Sequence, residues 1–160
     1  MTFERSTDYA LLSALIRDPR LYPFLSDDFS PPAADASAIE HDALWYIVAH
    51  EGTDLVGFWM FVPQNAICWE FHTVMPLDRR AHRALWELIG PGGWLWSHTD
   101  CLRAVTNVPT YNRIAHRFGL RAGLTEYGRN PDSFMKNGKL HGQILLGASK
   151  PKEPLCQLEQ

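Results

Sequence analysis

Cysteine is scarce in this chain, and the three that occur, Cys68, Cys101 and Cys156, stand far apart. Their odd number and their spacing match neither a disulfide framework nor a zinc motif. The sequence therefore predicts a reducing, cytoplasmic setting. The seven histidines are scattered without a His-x-x-x-His pair, so no metal site is expected either.

Long apolar runs and an excess of basic charge are also missing. The longest apolar run, Val56–Val62, is too short to cross a bilayer, and the first residues, MTFERSTDYALL, carry charges where a secretory signal would be apolar. No association with a membrane is therefore expected. The net charge of -3 argues against general binding to nucleic acid, so any anion site should be local.

The composition is that of a globular protein. Hydrophobic residues make up 46% of the 160-residue chain and charged residues 21%, and there are six tryptophans and eight phenylalanines. A chain of this length buries roughly two-thirds of its unfolded surface. We expect a single domain over residues 1–149 and a flexible C-terminal tail over residues 150–160, KPKEPLCQLEQ.

The hydrophobic pattern predicts strands and helices in a mixed order. Residues 18–42 interrupt it with four prolines and six acids, and an irregular segment with a short helix is expected there. The predicted strands are Phe3–Arg5, Leu44–Ala49, Leu55–Val62, Ala66–Val74, Leu102–Val105, Leu124–Arg129 and Leu140–Ala148. The predicted helices are Tyr9–Arg17, Arg79–Ile89 and Asn112–Phe118, with an extra turn at Trp94–His98.

The segment EFHTVMPLDRRAHRALWEL is the strongest candidate for a functional site in the sequence. A strand ends at Val74 before Pro76, and a basic turn leads into a helix. A helix start presents unpaired backbone N–H groups and a partial positive charge, which suit a phosphate. Arg79, Arg80 and Arg83 add positive charge there. An ordinary amphipathic helix with a solvated basic first turn explains the same residues.

This segment resembles the cofactor-binding motif of the GNAT superfamily, the coenzyme-A-dependent N-acyltransferases. In that motif a fourth strand ends in Val-x-Pro, and Arg/Gln-x-x-Gly-x-Gly/Ala follows, with amides that hold the pyrophosphate. Val74 matches the strand end, Arg79 the first motif position and Ala84 the last. His82 replaces the middle glycine of the motif, and Arg80 stands where a glycine commonly follows the arginine. A side chain at either position hinders the close approach of the backbone to a phosphate.

The second half of the chain continues the resemblance. In VPTYNRIAHRFGLRAGL, a helix-opening Asn112, then Ala115, Gly123 and Leu124 fall at the family's offsets. The closing strands, EYGRNPDSFMKNGKLHGQILLGASK, are similar as well. The resemblance implies an α/β GNAT-like acyl-CoA N-acyltransferase fold with a mixed central sheet flanked by helices. The cofactor-binding residues it implies are Val74, Arg79, Arg80, Ala81, His82, Arg83, Ala84 and Asn112.

The activity that the resemblance implies is transfer of an acetyl group from acetyl-CoA to a primary amine by direct attack on the thioester. An alkyl ammonium has a pKa of about 10, so a base is useful. Glu70 and His72 point to one face of the predicted fourth strand, and either can take the proton. Glu70 is preferred because family members often carry a glutamate there. The alternative to a catalytic role is structural: His72 is then a core histidine with its hydrogen bonds satisfied, and Glu70 is a charge at a strand edge.

The leaving thiol has less support in the sequence. Many family members have a tyrosine seven residues after the helix-opening asparagine, where this chain has Gly119. A thiol of pKa about 8.5 leaves acceptably as a thiolate, and Tyr111 or Tyr127 is a candidate substitute. These departures keep an alternative open, a catalytically inactive GNAT-fold interaction protein or virion protein.

A further expectation concerns the setting of the protein. Glu-x-His before Val-x-Pro most resembles GNAT-like proteins of tailed bacteriophages, which implies the host cytoplasm and either a homodimer or a phage protein partner.

The acceptor is expected to be an amine on a small molecule or a peptide. The acids of residues 18–42 are predicted to border the acceptor site and attract a cation, unless they are simply a solvated loop.

Overall fold

The computed structural model of the protein describes residues 1–76 and 78–152, and its centre is a seven-stranded sheet. Its strands are β1 (Thr2–Ser6), β2 (Trp45–Glu51), β3 (Asp54–Pro63), β4 (Cys68–Val74), β5 (Arg103–Pro109), β6 (Thr125–Lys136) and β7 (Lys139–Ser149). Their order across the sheet is β1-β2-β3-β4-β5-β7-β6. The mixed sheet of the predicted α/β GNAT-like fold is confirmed.

Five α-helices and a short 3-10 helix flank the sheet in the described residues. They are α1 (Tyr9–Ile16), α2 (Tyr22–Leu25), the 3-10 turn Ala33–Asp35, α3 (Arg79–Ile89), α4 (Trp94–His98) and α5 (Arg113–Arg121). Side chains cap three helix starts: Asp8 for α1, Asp78 for α3 and Asn112 for α5. No helix among these combines the length and apolarity needed to span a membrane.

The sheet separates two apolar clusters, as the alternation of side chains along its strands requires. On one face Val74 of β4 packs with Leu12 of α1 and Phe58 of β3. On the other face Phe71 of β4 packs with Ala81 and other buried residues of α3. Glu70 and His72 share the face of Val74, so the segment before α3 places polar groups on the side opposite that helix.

Strands β4 and β5 form the only parallel pair of the described sheet, and they pair over three residues. The last paired residues are Glu70 and Val105. Beyond them β4 continues to Val74 against β3, while β5 continues to Pro109 against β7. The inner edges of both strands therefore separate and leave an opening in the middle of the sheet.

The structure extends three of the predicted elements by three residues or more, and one of them is α5, which continues past the predicted Phe118 to Arg121. β6 was predicted to stop at Arg129, but it continues to Lys136 because a register shift against β7, between Asn130 and Phe134, absorbs the proline and the left-handed Asp132 (φ 47°). β5 likewise runs on to Pro109.

The predicted tail is bound to the body of the protein at its first residue. Lys150 donates its backbone N–H to the carbonyl of Leu102 at 2.9 Å and its Nζ to the carbonyl of Trp96 at 2.9 Å. The rest of the predicted tail from residue 153, with Cys156, lies outside the described residues. Cys68 and Cys101 are free thiols.

Residues 18–42 are fastened to the β6–β7 hairpin by Asp28. Its carboxylate accepts the backbone N–H groups of Asn137 and Gly138, each at 2.7 Å. Lys136 adds a bond from its Nζ to the carbonyl of Ser26 at 2.6 Å. These bonds fix the segment to the end of the β6–β7 hairpin.

Replacing Asp28 with Ala should lower the free energy of unfolding by about 1–2 kcal/mol, because two charge-assisted hydrogen bonds are lost at a solvent-exposed site. Thermal unfolding followed by circular dichroism measures the change. Asp35→Ala, an exposed acid of the same segment, is the matched control and should leave the melting temperature nearly unchanged. Equal effects of the two substitutions would contradict the role of the Asp28 bonds.

Candidate active site

A cleft of about 730 Å³ lies where β4 and β5 separate. Glu70, His72 and Val74 line it from β4, and Asn107 lines it from β5. Residues of α5 form one wall, and residues of α1, α2 and the segment after the 3-10 turn form the other. The sheet opening thus becomes a concave site of the size that small-molecule ligands occupy.

Glu70 is held at the point where the two strands separate. Its carboxylate accepts hydrogen bonds from Gln64 Nε2 at 3.0 Å and from Asn107 Nδ2 at 3.2 Å. Asn107 lies two residues beyond the last paired residue of β5, so its side chain bridges the diverging strands. Two amide donors therefore fix the orientation of the carboxylate.

His72 lies beside Glu70, with 3.5 Å between His72 Nε2 and Glu70 Oε1. The imidazole is 45% exposed, but the concave walls around it limit its hydration. Desolvation lowers the pKa of His72 below its usual value, although the charge of Glu70 acts to raise it. The neutral imidazole is therefore favoured at neutral pH, with Nδ1 facing away from the carboxylate contact. The predicted position of Glu70 and His72 on one face is confirmed.

The start of α3 is capped by a residue that the motif comparison did not single out. Asp78 accepts the backbone N–H groups of Arg80 at 2.8 Å and Ala81 at 3.1 Å. Although burial acts to raise it, the bonds from Ala81 and Arg80 lower the pKa of Asp78. The amides that the sequence resemblance assigns to a pyrophosphate are thus paired with a carboxylate. An aspartate directly before a predicted helix is the signal that indicates such a cap.

No protein-family model matches the chain, and neither does any curated protein sequence. Solved structures do match. Spermidine N-acetyltransferase from Vibrio cholerae, in complex with CoA and spermine, has a TM-score of 0.67 at 13% identity, covering 93% of this chain and 95% of that one. Aminoglycoside 6'-N-acetyltransferase from Enterococcus faecium has a TM-score of 0.64 at 16% identity, covering 96% and 99%. The chain has the GNAT fold.

Within the GNAT fold, the predicted basic turn is less available to an anion than the sequence indicates. Arg83 bonds Glu87 at 2.7 Å and Glu51 at 2.9 Å, which turns it toward the β2–β3 hairpin. The ring of His82 packs against Phe118 of α5, with 5.2 Å between the ring centroids. These side chains therefore connect elements of the fold.

The remaining predicted residues of this turn contribute differently. Ala81 and Ala84 are fully buried in the core, so only their backbone groups can meet a ligand. Arg80 is exposed, with its Nε 3.3 Å from Asp78 Oδ2. Arg79 begins α3, and its side chain lies outside the described part of the chain.

Val74 and Asn112, two of the residues that the resemblance assigns to the cofactor, both line the cleft. Asn112 also accepts the backbone N–H of Ala115 at 3.1 Å and so begins α5. Gly119 lies on the same wall, and a Cβ there would come within 2.8 Å of Leu146 and 3.1 Å of Leu124. The position that carries tyrosine in many GNAT enzymes is therefore closely packed here.

Neither candidate for the missing tyrosine lines the cleft. The Tyr111 ring lies 4.7 Å from the ring of His141, and Tyr127 lies 5.0 Å from the guanidinium of Arg103. Tyr46 does line the cleft, but its hydroxyl is bonded to both the N–H and the carbonyl of Ile39. Over residues 1–76 and 78–152 no group of three potential ligands for a metal occurs.

Residues 18–42 form part of the cleft wall, but none of their acids lines it in the described residues, so the attraction of a cationic amine by these acids stays a prediction. The side-chain and backbone hydrogen bonds of Arg20 lower the pKa of Asp18 to about 2. Asp27 accepts the hydroxyl of Ser30, and Asp28 is bound to the hairpin. Local pairing and turn formation explain these charges.

Proposed function

We propose that the protein transfers an acetyl group from acetyl-CoA to a primary amine. The observation that carries this proposal is the cleft between β4 and β5, which has the Glu70 carboxylate and the neutral imidazole of His72 on its floor. A carboxylate and a base next to an opening in the sheet suit the deprotonation of an amine that attacks a thioester.

The residues present fit coenzyme A at the strand edges. Beyond Glu70 the inner edge of β4 has no strand partner in the described sheet, and the facing edge of β5 has none either. Such edges can pair with the amide groups of an extended pantetheine arm. Val74 and Asn112 border this path. When bound, acetyl-CoA supplies the acetyl thioester.

His72 is the proton acceptor in this proposal, and Glu70 stabilises it. The bound ammonium first loses one proton to solvent. The neutral nitrogen then forms a bond to the thioester carbon, its second proton passes to Nδ1 of His72, and the C–S bond breaks to release a thiolate. The negative charge of Glu70, 3.5 Å from Nε2, stabilises the imidazolium that forms. Gln64 and Asn107 hold Glu70 in place. The sequence preferred Glu70 as the base, and this arrangement keeps both residues in the reaction.

One observation favours the alternative of a GNAT-fold protein without turnover. Asp78 occupies the amides of Arg80 and Ala81, where a pyrophosphate would bind. The sequence resemblance to phage GNAT-like proteins rests on Glu-x-His before Val-x-Pro, on Val108-Pro109 before the Asn112 helix, and on the tryptophan-rich connector after α3. This resemblance stays a prediction. So do a homodimer, a phage partner and the host cytoplasm.

Calorimetric titration with acetyl-CoA, together with release of free thiol on adding an amine, tests the proposal. We expect a dissociation constant in the micromolar range and thiol release that depends on the amine. No heat of binding at high micromolar acetyl-CoA would rule out the enzyme and leave the alternative.

Replacing Asp78 with Asn should tighten acetyl-CoA binding about three- to tenfold at low salt, because a negative charge leaves the helix start while the amide oxygen can still cap it. The gain should shrink at high salt, since the site is exposed. Calorimetry at two salt concentrations measures both effects.

Asp8→Asn is the matched control for this substitution. Asp8 caps α1 through the N–H of Leu11 at 3.0 Å, as Asp78 caps α3. Its substitution removes the same charge from another helix start and should leave acetyl-CoA affinity unchanged. If Asp78→Asn binds no more tightly than Asp8→Asn, the pyrophosphate does not meet the start of α3.

A further inference from the structure

The wall of the cleft opposite α5 is mainly apolar. It is built from Leu21, Phe24 and Leu25 around α2 and from Ile39. Phe24 is 63% exposed and Ile39 60% exposed, so two large apolar side chains stand open to water inside a concave site. A ligand with an apolar surface that covers such side chains removes them from water, and this burial favours binding.

The floor of the cleft is apolar on β3, the strand next to the one that carries His72. In the sheet register Met60 of β3 is opposite His72, and Tyr46 of β2 is opposite Met60. Opposite residues of antiparallel strands share a face, so the three side chains form a row from the base toward α1. All three line the cleft. An amine at His72 would therefore direct its substituents over Met60.

Only one acidic side chain lines the cleft in the described residues, and it is Glu70. The one lining side chain with a fixed positive charge, Arg20, is bonded to Asp18 at 2.6 Å. A ligand with several ammonium groups would leave all but one of them without a carboxylate partner in the cleft, which is unfavourable. The charges of the cleft are complementary to a single cation.

We propose that the acceptor is a monoamine with an apolar body, whose nitrogen meets His72 and Glu70 and whose aliphatic or aromatic part covers Met60, Phe24 and Ile39. This inference rests on the proposed acetyltransferase function. Polyamines and aminoglycosides are excluded as preferred substrates of this cleft, because they carry several charges.

The test compares n-hexylamine with cadaverine, which are matched in length and differ in one terminal group, a methyl in place of a second amine. Phenethylamine is the aromatic probe. Thiol release with acetyl-CoA gives kcat/KM for each amine, and saturation-transfer NMR with and without CoA gives binding independently of turnover. We expect n-hexylamine to exceed cadaverine roughly tenfold or more in kcat/KM and in binding.

The Phe24→Ser variant identifies the wall that makes the distinction. Phe24 is largely exposed, so its loss should not unfold the protein. We expect KM for n-hexylamine to rise about three- to tenfold, with kcat and acetyl-CoA affinity unchanged. Phe29→Ser is the matched control, because Phe29 lies in the same segment, is 82% exposed and does not line the cleft.

The outcomes separate the two proposals. If acetyl-CoA binds and cadaverine is acetylated as well as n-hexylamine, the acceptor inference is overturned and the acetyltransferase stands. If acetyl-CoA does not bind, the acetyltransferase fails, and the NMR comparison still decides the inference: equal binding of the two amines, or binding of neither, overturns it. An equal response of Phe24→Ser and Phe29→Ser also overturns it.

Discussion

In the His72→Gln variant, kcat is expected to fall by a factor of about 10²–10⁴ while the affinity for acetyl-CoA stays the same. Glutamine fills a similar space but accepts no proton, so the variant keeps the cleft and loses the base. Steady-state thiol release at neutral pH gives kcat, and calorimetry gives the affinity. His98→Gln is the control, because His98 is exposed on α4 and does not line the cleft.

The pH dependence of the rate adds a second measure of the same residue. Desolvation holds the pKa of His72 below the ordinary value of about 6.5, so the imidazole is neutral above that pH. The contribution of His72 should make the rate rise with pH through this lowered pKa and stay level at neutral pH. In Glu70→Gln the attraction of the carboxylate for the imidazolium is lost, so the rising part should move to lower pH.

The two variants together decide which residue is the base. If His72 accepts the proton, His72→Gln loses the pH-dependent rate and Glu70→Gln retains it at a shifted pH. If Glu70 is the base, as the sequence preferred, Glu70→Gln has the larger loss and His72→Gln keeps much of its activity. Similar rates for both variants and the wild type would place the base elsewhere.

Replacing Gly57 with Ala should lower the free energy of unfolding by about 2–6 kcal/mol and weaken acetyl-CoA binding. Gly57 has a φ of 151°, which side-chain-bearing residues rarely adopt, and a Cβ there would overlap Met75 Cβ and lie 2.6 Å from the carbonyl oxygen of Val74. Strain and overpacking each cost about 1–3 kcal/mol. Because the overlap displaces the end of β4, the cleft is expected to change with stability. Urea unfolding and calorimetry measure the two effects.

Gly52→Ala is the control that separates the effect of the close contact at Gly57 from the effect of a positive φ. Gly52, in the β2–β3 turn, also has a positive φ, 62°, but a Cβ there would meet no atom within 4 Å. It should cost only the strain of a left-handed alanine, about 1–2 kcal/mol, and leave acetyl-CoA binding unchanged. If both variants lose the same stability and neither changes binding, β4 does not depend on the approach of Gly57.

Local patterns predicted most of the secondary structure. The helix Arg79–Ile89 has the predicted bounds, because its apolar spacing and the glycines that follow it are local signals. The end of β6 was not predictable, because the pairing with β7 that carries the strand past Pro131 is a tertiary feature. The bond of Asp28 to Gly138 joins residues 110 positions apart, and no local pattern indicates it.

The candidate site divides in the same way. The spacing of Glu70 and His72 was sufficient to place them on one face, because strand alternation is local. The bond from Asn107 to Glu70 depends on where two strands diverge, and the sequence does not contain that geometry. Arg83 was predicted to face a phosphate, but folding brings Glu51 within 2.9 Å of it. The resemblance to a motif cannot anticipate such competing partners.

The inner edges of β4 and β5 also bear on how far this sequence can change without losing its architecture. Main-chain N–H and C=O groups are the same at nearly every residue, so a ligand held by a strand edge makes few demands on the side chains around it. The opening requires a point of divergence after Glu70 and packing that keeps the two edges apart. Many sequences satisfy those conditions, which is consistent with a shared fold at 13% identity to the Vibrio cholerae enzyme. Mutational drift in this cleft is therefore expected to alter the apolar wall around α2 sooner than the strand edges.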